Sequence, residues 1–208
     1  GRRGVRAVMR PSFPSKTFPN HYTLATGLVP DHHGIIANRF YDVASGRTFS
    51  IGDKVTGKDG SFYGGEPIWL TARRQGVKVG VVYWPGSDVA IRGQYPDYYQ
   101  DYAKKPLLTF EQRFDEAERL LTLPDSLRPQ LVMVYFEEPD YSGHVYGPAS
   151  HETRRAVEEL DSLLAGFYAR LRALPGGGDI NFIVTSDHGM APTSPQRIIR
   201  LSDYLQPD

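Results

Sequence analysis

Residues 67–88, PIWLTARRQGVKVGVVYWPGSD, decide the fold class of this chain. Residues 67–75 are typical of a helix, and residues 77–83 form a short apolar run that predicts a buried strand. A helix followed directly by a buried strand is the repeating unit of a mostly parallel sheet. The stretch therefore predicts an α/β fold, in which residues 84–88 follow the carboxyl end of a strand.

The same alternation continues on both sides of this stretch. Towards the carboxyl end, apolar spacing predicts helices at 110–121 and 150–174 and strands at 131–136 and 181–185. Towards the amino end, residues 5–9 predict a first strand, and Thr17 is a suitable N-cap for a helix that Gly27 ends. We therefore expect a mostly parallel sheet with helices on both faces.

Composition sets limits on the class of protein. The 208 residues are 40% hydrophobic and 23% charged, as expected of a globular domain. Because 24 basic residues balance 24 acidic ones, nothing global favours nucleic acid or an anionic membrane as partner. No apolar run is long enough to span a bilayer. The absence of cysteine excludes disulfides and thiolate zinc sites, so a metal would need His, Asp, Glu or hydroxyl ligands.

Reactive side chains follow each predicted strand. Ligands of such sheets bind beyond the carboxyl ends of the strands, so these side chains are expected to share one edge. Asp187 and His188 come directly after a predicted strand, and Asp140 and His144 follow another at a spacing of four. Each pair taken singly also suits an ordinary loop. Together, the two pairs suit two divalent cations held by oxygen and nitrogen ligands.

Thr17 is the candidate nucleophile at this edge. Its predicted place at a helix N-terminus favours negative charge, whether on an alkoxide or on a phosphate. A threonine hydroxyl needs a metal or a base to become reactive, and such a threonine alone is usually a plain N-cap.

Four blocks of sequence occur in a recognisable order. They are PSKTFPNHY at 14–22 with TGL at 26–28 and HGI at 33–35, WPGSD at 84–88, EPD at 138–140 with GH at 143–144, and SDHGM at 186–190. In this order the blocks resemble those of the nucleotide pyrophosphatase/phosphodiesterase family, within the alkaline phosphatase superfamily. The resemblance implies a single catalytic phosphodiesterase domain over residues 1–208, incomplete and truncated at both ends.

The resemblance also implies a two-zinc site. Thr17 would be the nucleophile and would share one zinc ion with Asp187 and His188. Asp140 and His144 would hold the second zinc ion. The family takes one further Asp from before this chain and one further His from after it, so two zinc ions are expected per complete catalytic domain.

Substrate contacts are implied as well. Asn38 would donate to a phosphate oxygen. The remaining substrate-binding residues implied are Lys16, Phe18, Trp84, Asp88, Tyr102 and Tyr135. The expected substrate is a small-molecule nucleotide or other phosphodiester, cleaved through a phosphothreonine, with no sequence-specific binding of nucleic acid. Relatives of this kind are exported, so an extracellular or periplasmic location is expected, with a membrane anchor possible in the full-length protein.

Several alternatives stay open at this point. Within the superfamily they are a phosphomonoesterase and a choline-phosphodiester hydrolase. The alternative from another class is a catalytically inactive binding domain that keeps the fold.

Overall fold

The computed structural model describes residues 4–205, which separate into two compact units. One unit extends to Phe136 and includes Leu160–Gly189, and the other contains Glu137–Glu159 and begins again at Met190. The prediction of a single domain stays a prediction. Helices longer than three residues are α1 (Thr17–Thr26), α2 (Pro30–His33), α3 (Ile68–Arg74), α4 (Phe110–Leu121), α5 (Asp140–Tyr146) and α6 (His151–Ala173). Strands are β1 (Arg39–Asp42), β2 (Arg47–Ser50), β3 (Val79–Val82), β4 (Tyr98–Tyr99) and β5 (Leu131–Val134).

A parallel sheet lies at the centre of the first unit. Its strand order is β4–β3–β5, and β3 pairs with β5 from Val79↔Leu131 to Val82↔Val134. β1 and β2 form a separate antiparallel hairpin. None of the helices that the structure describes between residues 4 and 205 is long and apolar enough to cross a membrane.

Helices cover both faces of the parallel sheet. Val79 and Val81 belong to a core that includes Tyr22 of α1 and Trp69 of α3. On the opposite face, Val132 and Val134 of β5 pack into a second core. That core contains Phe114 of α4 and Phe167 and Leu171 of α6. Because alternate residues of a strand point to opposite faces, the two cores lie on the two sides of one sheet. The predicted α/β fold with a parallel sheet is confirmed.

α4 lies very close to β3. A Cβ atom added at Gly80 would lie 2.7 Å from the Cδ1 atom of Leu120, so the absence of a side chain permits this approach. The start of α4 is a capping box, in which Thr109 and Gln112 each bond to the other's backbone N–H. The helix has the bounds that its apolar spacing predicts.

Two predicted strands are wrong. Residues 5–9 and 181–185 have no strand structure, and side chains such as Val5 (100% exposed) and Ile183 (85% exposed) face solvent. An apolar run marks only a candidate strand, because a ladder also needs a partner strand, and neither segment pairs with another strand in residues 4–205. The N-cap of α1 is Lys16, and Thr17 is the first helical residue.

Candidate active site

The loop before α1 is held by one buried side chain. The Nδ2 group of Asn20 donates to the carbonyl oxygens of Pro14 and Lys16, each at 3.1 Å. Its Oδ1 atom accepts the Ser12 N–H at 2.8 Å. These bonds fix the entry of the chain into α1 and therefore the position of Thr17 at the start of the helix.

Three polar side chains from distant parts of the chain meet at this helix start. The Oγ1 atom of Thr17 lies 3.5 Å from the Nε2 atom of His188, although the two residues are 171 positions apart. The same Nε2 atom lies 3.2 Å from the Oδ2 atom of Asp187. The hydroxyl, the imidazole and the carboxylate therefore form one cluster within the first unit.

His21 is a fourth member of the cluster that the sequence interpretation missed. Its Nδ1 atom lies 2.8 Å from the carbonyl oxygen of Thr17 and 3.3 Å from the Oδ2 atom of Asp187. The available signal was its spacing, since residues i and i+4 of a helix share a face and place His21 beside Thr17.

The electrostatics of the cluster favour an ionised carboxylate. Burial acts to raise the pKa of Asp187, but it is outweighed by the hydrogen bond from His21 and by the charges of His21 and His188. The net result is a pKa below the usual value for aspartate. The site therefore keeps a fixed negative charge next to the Thr17 hydroxyl.

Two aromatic side chains line the cluster. Trp84 and Tyr135 each contact the ring of His21 edge-on, with ring centroids 5.0 Å apart in both pairs. The indole Nε1–H of Trp84 donates to the carbonyl oxygen of His21 at 3.1 Å. Both aromatic residues follow strands of the parallel sheet, and both are partly exposed. They form one wall beside the start of α1.

Asn38 is attached to the same helix start. Its Oδ1 atom accepts the Phe18 N–H at 3.1 Å, so the Nδ2 group is the part of Asn38 that can donate to a ligand. The ring of Phe18 packs towards the core, 6.5 Å from the ring of Phe49.

Three further predicted substrate contacts, Asp88, Tyr102 and Lys16, also belong to the first unit. The carboxylate of Asp88 forms an ion pair with Lys58 and accepts the Tyr102 N–H at 2.9 Å. The ring of Tyr102 contacts Tyr83 edge-on at 5.5 Å. Lys16 is exposed in the loop before α1. A substrate contact for Asp88, Tyr102 and Lys16 stays a prediction.

Asp140 and His144 belong to the second unit. Both lie in α5, one turn apart, with the His144 Nε2 atom 3.5 Å from the Asp140 Oδ1 atom. The pair shares one face of a short helix, as its spacing of four implies. Its role as a metal-binding pair stays a prediction.

Within residues 4–205 no three His, Cys, Asp or Glu side chains are grouped to hold a metal ion. The cluster at Thr17 nevertheless offers a hydroxyl, an imidazole and a carboxylate as metal ligands. The Nε2 atom of His188 lies 3.5 Å from Thr17 Oγ1 and 3.2 Å from Asp187 Oδ2. Tetrahedral zinc ligands lie about 3.4 Å from one another. The Nδ1 atom of His188 lies 3.0 Å from the carbonyl oxygen of Gly189, where it can donate, and a ring that donates from Nδ1 can use its Nε2 lone pair as a metal ligand. The spacing and chemistry of these donors therefore suit one zinc ion.

Comparison with known proteins identifies the family. The family model described as type I phosphodiesterase / nucleotide pyrophosphatase matches residues 1–208. The human ectonucleotide pyrophosphatase/phosphodiesterase family member 1 is 44% identical over 197 residues, which are 95% of this chain and 21% of the relative. Venom phosphodiesterase 2 of Crotalus adamanteus is 41% identical over 197 residues, which are 95% of this chain and 24% of the relative.

Solved structures agree with the sequence comparison. An inactive threonine-to-alanine variant of murine ectonucleotide pyrophosphatase/phosphodiesterase 5, in complex with AMP, matches with a TM-score of 0.83 and 36% identity. The match covers 94% of this chain and 51% of that one. The human protein of the same name matches with a TM-score of 0.81 and 34% identity, over 94% and 51% of the two chains.

The chain thus spans about a fifth of the curated relatives and about half of the solved chains. Its architecture is alkaline phosphatase-like. On the match of the family model over residues 1–208 and the identity to its relatives, the chain belongs to the type I phosphodiesterase / nucleotide pyrophosphatase family.

Proposed function

We propose that the complete protein hydrolyses nucleotide phosphodiester or pyrophosphate bonds, with the Oγ1 atom of Thr17 as nucleophile. The observation that carries this proposal is the 3.5 Å distance between Thr17 Oγ1 and His188 Nε2 beside the Asp187 carboxylate. A purely local role at the helix start would not explain why Thr17 contacts an acid–imidazole pair whose imidazole lies 171 positions away in the chain.

The relatives support the same class of reaction. The curated relatives carry the names of nucleotide pyrophosphatases/phosphodiesterases and venom phosphodiesterases. The murine structure is described as an inactive threonine-to-alanine variant in complex with AMP. We transfer two features from that description to this chain, a functional threonine and a nucleotide ligand.

The proposal includes two zinc ions bound by the complete protein. Thr17, Asp187 and His188 would hold one ion, and Asp140 and His144 the other, together with one Asp and one His from elsewhere in the complete protein. When bound, zinc supplies Lewis-acid stabilisation of negative charge at phosphate and threonine oxygens.

Residues of this chain would carry out the remaining work. Thr17 Oγ1 gives up its proton to solvent and forms a bond to phosphorus while the bond to the leaving oxygen breaks, and the leaving oxygen takes up a proton from solvent. Water later cleaves the phosphothreonine to restore the hydroxyl. The N-terminus of α1 favours the negative charge of the phosphate. Asn38 donates from Nδ2 to a phosphate oxygen, and a neutral amide suits a diester because a diester carries one charge fewer than a monoester.

The aromatic wall gives the proposed preference for nucleotides. Trp84 and Tyr135 are held against His21 and stay partly exposed, so they can pack against a nucleobase without rearrangement. Phe18 and Tyr102 are further candidates for this contact. A choline phosphodiester would instead use the same aromatic faces for its cation.

Substrate comparison tests the proposal. The complete protein should hydrolyse bis-p-nitrophenyl phosphate and the p-nitrophenyl ester of thymidine 5′-monophosphate faster than p-nitrophenyl phosphate or p-nitrophenyl phosphorylcholine. A preference for the monoester would instead indicate a phosphomonoesterase. Absence of turnover together with absence of bound zinc would indicate a binding domain.

We also propose an extracellular or periplasmic location, because the relatives include ectoenzymes and venom enzymes.

A further inference from the structure

A cavity of about 400 Å³ lies away from the candidate active site. Gly76, Val77 and Lys78, which immediately precede β3, line it together with Asp97, which precedes β4. The cavity therefore sits at the amino ends of these parallel strands, whereas Trp84 follows the carboxyl end of β3. Its volume falls within the roughly 300–1,000 Å³ of small-molecule pockets.

The lining carries an excess of positive charge. Four basic side chains and two acidic ones line the cavity, whereas the chain as a whole carries 24 of each charge. The charged lining residues are Glu66, Arg73, Arg74, Lys78, Arg92 and Asp97. Two positive charges remain after pairing, which is the charge needed to balance a dianion.

Both carboxylates are already engaged by protein groups. Asp97 accepts from the Nε atom of Arg73 at 3.2 Å and from the Val79 N–H at 2.9 Å. These two bonds use both oxygens of the carboxylate. Asp97 therefore anchors Arg73 on the wall, and its repulsion of an incoming anion is reduced by its partners.

Glu66 anchors two further arginines, Arg74 and Arg92, through hydrogen bonds. Its Oε1 atom accepts from Thr71 at 2.8 Å and from the Nη2 atom of Arg74 at 3.1 Å. Its Oε2 atom accepts from the Nη1 atom of Arg92 at 3.2 Å. A guanidinium has five N–H donors, so each arginine keeps donors beyond those bonded to Glu66.

The backbone at Arg92 has a conformation that disfavours a large side chain. Arg92 and Gly93 have φ values of 52° and 73° and form a two-residue turn between the bridged residues Ile91 and Gln94. Such turns favour Asn or Gly at the first position, because a larger side chain is disfavoured at positive φ. Arginine therefore occupies this position against the local conformational preference, and its side chain lines the cavity.

We propose that this cavity binds a small organic phosphate monoester. The guanidinium groups of Arg73, Arg74 and Arg92 match the geometry of a phosphate group, and Lys78 adds a point charge. Leu70 and Val77 on the same lining provide apolar surface for the organic part of the ligand. The site is separate from Thr17, so it does not depend on the proposed hydrolysis.

The test uses the substitution Arg92→Asn in the complete protein. Asparagine suits the turn, so the fold should be kept, with a melting temperature equal to or above that of the wild type. Arg128→Asn is the matched control, since Arg128 is also an exposed arginine paired with one carboxylate, Asp125, at 2.8 Å. Lys78→Gln serves as a second variant inside the cavity.

Binding of AMP is measured by equilibrium dialysis, with inorganic phosphate as a second probe. We expect the wild type and Arg128→Asn to bind AMP in the cavity, whether or not AMP also binds at Thr17. Binding at the cavity should weaken at least about tenfold in Arg92→Asn, because a charge-assisted hydrogen bond is lost. Diester hydrolysis should be unchanged. Unaltered AMP binding in both cavity variants, or equal weakening in Arg128→Asn, would overturn the proposal.

Discussion

Acid should destabilise this protein through one buried imidazole, that of His33. The side chain is 0% exposed, its Nδ1 atom accepts the Ile35 N–H at 3.1 Å, and its Nε2 atom lies 3.0 Å from the Thr23 hydroxyl. Because Nδ1 is an acceptor, the folded state holds the neutral ring with its proton on Nε2. Burial lowers the pKa of His33 to about 4.

The size of the effect follows from the two pKa values. In the unfolded chain the pKa of histidine is about 6.5, so the unfolded state takes up a proton at a higher pH than the folded state. The stability is therefore complete above about pH 6.5 and is lost as the pH falls towards about 4. Between about pH 7.5 and about pH 4.5, linkage gives a loss of about 2.5 kcal/mol from His33 alone.

The substitution His33→Asn isolates this contribution. An asparagine oxygen can accept the Ile35 N–H near the position of Nδ1, but asparagine does not titrate. Urea unfolding is measured for the wild type and the variant at both pH values. The contribution of the carboxylates to the pH dependence of stability is common to both proteins, so it cancels in the difference between them. The wild type should lose about 2.5 kcal/mol more than the variant. An equal loss in both proteins, or a measured pKa of His33 above 6, would refute the reasoning.

Three further predictions concern the candidate site and the sheet. Thr17→Ala should abolish diester hydrolysis and Thr17→Ser should retain part of it, with circular dichroism unchanged; full activity of the alanine variant would exclude Thr17 as nucleophile. His21→Ala should lower diester turnover about 10–100-fold, because Asp187 loses its hydrogen bond. His21→Asn should recover part of the turnover, because the asparagine amide can still donate to Asp187. Equal loss of turnover in both variants would contradict a positioning role for His21. Gly80→Ala should lower the free energy of unfolding by about 1–3 kcal/mol, since the added Cβ meets Leu120, and an unchanged melting temperature would show that α4 can move away.

Segments whose structure is determined by neighbouring residues could be predicted from the sequence. α4 has its predicted bounds because apolar spacing and a capping box act within a few residues of one another. Residues 5–9 and 181–185 were mispredicted because a strand depends on a partner that lies elsewhere in the chain.

The same distinction applies to the site. Thr17, Asp187 and His188 were identified from motif residues and meet in the structure, even though the predicted strand before Asp187 does not form. His21 was missed because its importance arises from a contact with Asp187, which local sequence does not reveal.

Two consecutive residues of α1 explain why the site starts at this helix. Asn20 bonds back to the loop that precedes Thr17, and His21 reaches across to Asp187. The same helical turn therefore fixes the proposed nucleophile, Thr17, from one side and the Asp187 carboxylate from the other. A shift of α1 would break both sets of bonds together, so the distance between the Thr17 hydroxyl and the Asp187 carboxylate is set by one short rigid element. This coupling gives a physical reason for placing the proposed nucleophile at a helix start and not in a free loop.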